Sequence, residues 1–300
     1  MKPLHIDDDI QILTDEAAKE ALAKDNDASF VSEEQGITHV PLDRWQKAQR
    51  AERKHWMVRG LHVSNDRNDD HMTLFDDYAT LRDRHFQHAL EMGCGPFTNL
   101  SLIGTVCEID DVTLLDPLIE SYLSHPFCNY THEKFFLRRQ NPIDLFMRRV
   151  LGRIAPSLYK TLARNLIPRK TIPVRGLIAT PIETMPRSDT PYDLIVIINV
   201  IEHCYDIDRV FQQIVDNLAP GGILVFHDKY YSHDAVAETV KVQYDAAHPL
   251  KVDRKVIDSF LDAHFNDLYR YIATETSHFR DYTFQYDMLY LIGQKKQIAG

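Results

Sequence analysis

His88-Ala-Leu-Glu-Met-Gly-Cys-Gly-Pro-Phe-Thr-Asn-Leu100 is the stretch that decides the fold. It is short and apolar up to Met92, breaks at Gly93, Gly95 and Pro96, and resumes as a helix over residues 98–106, with Thr98 or Asn99 placed to cap it. Strand, glycine turn and helix in that order make a ligand-binding device. The glycines let the backbone come close to a ligand, and the start of the helix offers unpaired N–H groups. A second strand over residues 112–115 ends in Asp116, about 20 residues beyond the turn, where a carboxylate can accept hydrogen bonds from two ribose hydroxyls. Taken alone, these features suit a nucleoside ligand of several kinds.

Further strands are expected at residues 175–178, 192–198, 223–226, 268–276 and 284–293. Residues 192–198 are apolar throughout except Asp193, as a strand buried on both faces requires. Helices are expected over residues 208–218, closed by Pro220-Gly221-Gly222, and over 252–264, with Asp253 as cap. Strands alternating with helices predict an α/β fold: a seven-stranded, mostly parallel sheet with helices on both faces. Upstream, residues 41–59 read as a helix with Trp45 and Trp56 on one face, either docked on the core or capping a ligand pocket. Residues 73–84 read as another helix. The segment between Asp116 and Arg175 is too long for one crossover. It holds an expected helix over residues 142–166, kinked at Pro156, with Leu145, Phe146, Val150, Ile154, Leu158, Leu162 and Leu166 on its apolar stripe. The expected organisation is a helical N-terminal cap (1–86), a sheet domain in two pieces (87–118 and 176–300) and a helical insertion (119–175).

The net charge of −10 argues against general nucleic-acid binding, which needs phosphate neutralisation. The charge is uneven: residues 129–176 hold eleven basic residues against two acidic ones, Glu133 and Asp144. No stretch approaches the roughly 20 apolar residues of a membrane span, and the acidic first residues lack the apolar core of a secretory signal. Cys94, Cys107, Cys128 and Cys204 form no C-x-x-C pair and read as reduced thiols of a cytoplasmic protein, with no structural zinc and no metal expected.

The details around the glycine turn separate the kinds of nucleoside ligand. Residues 89–100 (ALEMGCGPFTNL) resemble the first motif of the class I methyltransferases that use S-adenosylmethionine (SAM). Residues 113–118 (TLLDPL) resemble the second motif of that family, residues 181–186 (PIETMP) the loop after its third strand, and residues 192–228 its fourth-strand region with the Pro-Gly-Gly turn. The resemblance spans roughly residues 87–117 and 176–293. It implies a Rossmann-like fold, SAM as cofactor with S-adenosylhomocysteine (SAH) as product, and methyl transfer as the activity. It further implies that Glu91, Gly93, Cys94 and Gly95 line the methionine end, that Asp116 and Pro117 hold the ribose, that Ile182 and Glu183 flank the adenine, and that Asn199, Val200 and His203 lie beside the reacting methyl. The chain departs from the family at Phe97, where a third glycine is usual, and at Pro181, where an acid is frequent. Dinucleotide oxidoreductases are disfavoured, because G-x-G-x-x-G would need a glycine where Thr98 stands.

The acceptor is expected to be a small molecule methylated at oxygen or nitrogen. His203, His227 and His248 are the candidate acid–base groups, since imidazole can take a proton near neutral pH. Tyr230 and His233, after the fifth strand, and Arg148 and Arg149, in the insertion, are candidate acceptor contacts. Three readings of the basic insertion stand open: a solvated face packed over the site, a lid meeting an anionic or carrier-tethered acceptor, or a surface docking on an anionic membrane. Two other functions are weighed: a SAM enzyme of different chemistry, metal-assisted or eliminating, and a non-catalytic interaction protein on the same fold. The sequence does not indicate an oligomeric state.

Overall fold

The structure is a computed structural model that describes residues 4–7, 10–12, 35–61, 69–138, 170–279 and 282–297. Strands in chain order are β1 (Leu4–Asp7), β2 (Ile10–Ile12), β3 (Gly36–Ile37), β4 (His85–Met92), β5 (Glu108–Leu115), β6 (Lys134–Phe136), β7 (Thr171–Ile178), β8 (Tyr192–Ile198), β9 (Leu218–Tyr230), β10 (Gln243–Asp245), β11 (Lys251–Val252), β12 (Phe265–Phe279) and β13 (Tyr282–Lys295). The central sheet runs β12-β13-β9-β8-β4-β5-β7-β6. Its five middle strands, β9, β8, β4, β5 and β7, are parallel, whereas β13, β12 and β6 run antiparallel to their neighbours.

The sheet thus has the expected architecture with eight strands among the described residues, not seven. The additional strand, β6, pairs with β7 through Phe135 and Ile172. It lies in the segment expected as an insertion, and so does the helix Ile119–Tyr122. Residues 139–169, which carry the expected 142–166 helix, fall outside the described residues.

Side-chain alternation explains why the strands are apolar throughout. Leu90, Met92, Ile195, Ile197, Leu224 and Phe226 face one layer of the core, and Ala89, Val112, Leu194, Val196, Ile198 and Val225 face the other. On the first face the helices Ile207–Asn217 and Arg254–His264 bury Val210, Ile214, Ile257 and Leu261, and Phe211 stacks on Phe260 at 3.9 Å between centroids. Asp206 and Asp253 cap these helices through the N–H groups of Arg209 and Lys255. No described helix is long and apolar enough to cross a membrane. The four cysteines are buried and form no disulfide among the described residues.

The topology fixes where a ligand can sit. The chain leaves β4 toward β5 and β7 on one side, then returns to β8 and β9 on the other. The crevice beyond the C-terminal ends of β4 and β8 is therefore the switch point of the sheet. The helix Leu42–Lys54 closes over that crevice. It is anchored there by the ribbons β3–β11 and by Arg44, whose buried guanidinium donates to the carbonyls of Asp245 (2.8 Å) and Ala246 (2.9 Å).

Candidate active site

A cavity of about 430 Å³ fills the crevice. On one side it is bounded by the glycine turn. Gly93 and Gly95 have φ of +71° and +53°, a region glycine enters without the clash of a Cβ. The N–H groups of Gly93 and Cys94 both donate to Leu115 O, at 2.7 and 3.1 Å, which laces the turn to the end of β5. A Cβ on Gly93 would lie 2.5 Å from Val200 Cγ2, so β4 and β8 meet too closely there for any other residue. A Cβ on Gly95 would meet nothing within 4 Å, because that side of the turn faces the cavity.

Asp116 closes the next corner. Its Oδ2 accepts from Gly95 N at 3.1 Å and its Oδ1 from Leu118 N at 2.8 Å. Burial pushes its pKa up to about 7. Pro117, Ile182 and Glu183 continue the same wall. Glu183 is held by the N–H groups of Tyr205 (2.6 Å) and Asp206 (3.2 Å), which fasten the loop after β7 to the start of the 207–217 helix. At the end of β8, Asn199 takes φ +56° and donates its N–H to His227 O at 2.7 Å. The next turn hangs on Asp228, whose Oδ2 accepts from Val200 N (2.8 Å) and Ile201 N (2.7 Å).

Glu91 departs from the expected contact with a ligand. It is 1 % exposed, does not line the cavity, and spends its carboxylate on Thr98 Oγ1, Asn99 N (2.8 Å), Asn99 Nδ2 (2.9 Å) and Leu100 N (3.4 Å). It holds the start of the helix after the glycine turn. Burial raises its pKa to about 7 against those bonds.

The opposite half of the cavity has two walls. Helix Leu42–Lys54 supplies one, with Trp45, Gln49 and Glu52. The indole of Trp45 and the amide of Gln49 both donate to His203 O, at 3.0 and 3.2 Å, and the Trp56 indole donates to Glu52 Oε1 at 2.6 Å. The rings of His203 and His248 lie there at 54° to each other, 4.4 Å between centroids. The other wall is made by His71, Leu74, Met288, Tyr290 and His227, the last stacked on Tyr290 at 4.0 Å.

Gly93, Cys94, Gly95, Asp116, Pro117, Ile182, Glu183, Asn199, Val200, His203, His227 and His248 therefore share one cavity. Tyr230 and His233 stand outside it. Side chains alternate along β9, so three positions past His227 the Tyr230 ring faces the other layer, where its hydroxyl meets Asp258 at 2.5 Å. His233 opens the His233–Val242 helix, with Nδ1 4.0 Å from Asp253. Arg148 and Arg149 lie outside the described residues. Sequence reading missed Glu52, His71, Asp245, Met288 and Tyr290 on the cavity wall. Only Asp245 left a local signal, an acid three residues before His248 in a turn.

The sequence profile described as "Methyltransferase domain" matches residues 71–264, more than half of the chain. The chain belongs to this family and is a class I SAM-dependent methyltransferase. No curated protein matches it in sequence. Among solved structures it is similar to the N-methyltransferase NodS of Bradyrhizobium japonicum, at 16 % identity over 78 % of this chain and 100 % of that one (TM-score 0.43). It is also similar to the YcgJ protein of Bacillus subtilis, at 11 % identity over 76 % and 100 % (TM-score 0.48). A third is the 1,6-didemethyltoxoflavin-N1-methyltransferase of Burkholderia thailandensis, at 13 % identity over 99 % and 100 % (TM-score 0.40).

Proposed function

We propose that the enzyme methylates oxygen or nitrogen of a small molecule held in the cavity between the glycine turn and the two histidine-containing walls. The observation that carries this reading is the continuity of the cavity from Gly95 and Asp116 to His227 and His248. The residues fit SAM: an open space beside Gly95 that a Cβ would enter, a carboxylate at Asp116 for two hydroxyls, and a wall at Ile182 and Glu183 for a purine. The cofactor supplies an electrophilic methyl on a sulfonium. The chain holds the acceptor in line with that methyl and keeps water away. Helix Leu42–Lys54 serves as the cap in this reading, with residues 87–118 and 176–300 as the catalytic domain.

Five carboxylates line the cavity (Glu52, Asp116, Glu183, Asp245 and Glu275) and, among the described residues, no lysine or arginine does. That charge favours a neutral or cationic acceptor over an anionic one. The test combines binding and turnover. Asp116→Ala should weaken SAH binding about 10- to 100-fold by calorimetry, the loss of hydrogen bonds to a charged group worth about 1.5–3 kcal/mol. Isotope-labelled methyl from SAM should pass to small-molecule fractions of a cell extract. Transfer only to protein or nucleic acid would overturn the reading.

A further inference from the structure

Five imidazoles line the cavity, those of His55, His71, His203, His227 and His248, and the last three differ in what stands behind each ring. His203 Nδ1 donates to Ala247 O at 3.2 Å, and His227 Nδ1 donates to Leu289 O at 2.9 Å. A carbonyl accepts only, so both rings carry their proton on Nδ1 and hold it there as neutral imidazoles. Burial pushes His203 down to about 4. Burial, with His71 beside it, pushes His227 down to about 3. Neither ring is suited to keep a second proton at neutral pH.

His248 is different. Its Nδ1 lies 2.6 Å from Asp245 Oδ2, and Asp245 is itself 6 % exposed. The other oxygen of Asp245 accepts from Ala247 N (3.2 Å) and His248 N (3.3 Å), so the carboxylate closes the turn that carries the histidine. Burial works against the charge on Asp245, but His248, Lys251 and Lys229 outweigh it and keep the carboxyl well below the ordinary range. Lys251 Nζ sits 3.8 Å from Asp245 and 2.9 Å from Glu202, and Lys229 Nζ sits 2.5 Å from Glu202. The groups facing His248 are thus Asp245 and Lys251 from its own segment, His203 and Glu202 from the turn after β8, Lys229 from β9 and Glu52 from the cap helix.

We propose that Asp245 and His248 form the proton-accepting dyad of this cavity, with Nε2 of His248 as the base and Asp245 as its positioning residue, for an acceptor that brings a proton to the methylation step. Such an acceptor is an amine or a hydroxyl, or an ammonium that first gives a proton to His248 and attacks as the free amine, and not a carboxylate, which has no proton to give up. The inference rests on the small-molecule reading above and narrows its substrate class. As the acceptor's lone pair forms the bond to the methyl carbon, the carbon–sulfur bond breaks with its electron pair left on sulfur, and the acceptor's proton passes to Nε2 of His248. The imidazolium that results is paired to the Asp245 carboxylate at 2.6 Å, whereas Nδ1 of His227 faces a carbonyl and Nδ1 of His203 faces a carbonyl with Glu52 no nearer than 3.9 Å.

The decisive variant is Asp245→Asn. Its side-chain oxygen can keep the bonds to the N–H groups of Ala247 and His248, while its amide N–H then points at Nδ1 of His248. The ring must turn acceptor at Nδ1 and move its proton to Nε2, where it can no longer accept one. Nitrogen-15 NMR of His248 in the SAH-bound protein should report a proton on Nδ1 in the wild type and on Nε2 in Asp245→Asn, with SAH affinity unchanged by calorimetry. A His248 tautomer that is the same in both proteins, or a wild-type ring protonated on Nε2, overturns the dyad without any turnover assay.

Turnover is read on a panel of simple primary amines, phenols and carboxylic acids with labelled SAM. Amines or phenols should gain the label and carboxylic acids should not. Asp245→Asn and His248→Ala should each lose roughly 100-fold or more in kcat, the size of a lost acid–base group, with little change in KM for SAM. Added imidazole should restore part of the rate in His248→Ala. Wild-type rates in both variants, or labelling of the carboxylic acids alone, overturn the proposal. A wild type that binds SAH yet labels none of the probes counts against the small-molecule reading, and the NMR comparison still decides the dyad.

Discussion

The backbone N–H of Gly95 donates to the carboxylate of Asp116 at 3.1 Å, so the glycine turn of β4 and the tip of β5 behave as one unit. The contact joins two motifs about twenty residues apart into a single corner of the cavity, and it sets what each substitution nearby should do.

The two glycines of the turn should fail differently. Gly93→Ala puts a Cβ against Val200 at a positive φ, and should destabilise the protein by about 2–4 kcal/mol through overpacking and strain. Gly95→Ala meets open space. It should cost about 1–2 kcal/mol in stability and a larger share of its effect in SAH affinity. Thermal unfolding without ligand, set beside calorimetry, separates them. Equal affinity losses with equal stability losses would refute the distinction.

Asp116 should make stability depend on pH with an unusual sign. Its pKa rises from the ordinary 3.8 to about 7 because it is buried. Over that interval the folded protein holds a proton that the unfolded chain has released, so the contribution of the group to stability falls as pH rises and levels off above about 7. Glu91, at about 7, and Asp228, at about 6, act in the same direction. In Asp116→Asn this share is gone. The midpoint of the variant should gain on the wild type as pH is taken from 4 to 8, and a pH-independent difference speaks against a raised pKa.

Glu91→Ala should lower stability even with no ligand present. It strips Thr98 Oγ1, Asn99 N and Asn99 Nδ2 of their shared acceptor inside the core, a loss of about 3 kcal/mol or more at roughly 1–3 kcal/mol for each buried unpaired group. Urea unfolding gives the value, and a variant as stable as the wild type would mean that the helix start holds itself.

Asp228→Ala should loosen the turn after β8 by leaving Val200 N and Ile201 N unpaired. The turn carries Asn199, Val200 and His203 into the cavity, so SAH affinity should drop about tenfold, as loss of about 1.4 kcal/mol in preorganisation gives. Faster amide exchange at Val200 and Ile201 would accompany it. Unchanged exchange at both would assign the turn to other contacts.

Much of this was legible in the sequence because the strands are buried on both faces. Apolar runs such as 192–198 have no second interpretation once a glycine turn and an acid at the next strand end fix the order. What escaped notice is non-local or short. β6 is three residues long, and Phe135 alone does not mark a strand. His71, Met288 and Tyr290 meet only because β13 pairs back onto β9, and no spacing along the chain encodes that. Tyr230 and His233 do not line the cavity because β9 runs on to Tyr230, past the expected end at Phe226, so alternation, not proximity in sequence, decides which side chains reach it. Glu91 shows a different limit: an acid at a motif position can be structural, and only its partners show which.

The ribbons that tie β2 to β10 and β3 to β11 join early residues to a segment more than 200 positions later. On the ribosome, at roughly 5–20 residues per second, the cap helix must wait some 10–40 s for the strand that receives it. Until then Arg44 lacks the carbonyls of Asp245 and Ala246 that hold it. The glycine turn, the end of β5 and the end of β8 all precede that strand in the chain, so the anchor of the cap is synthesised after three walls of the cavity.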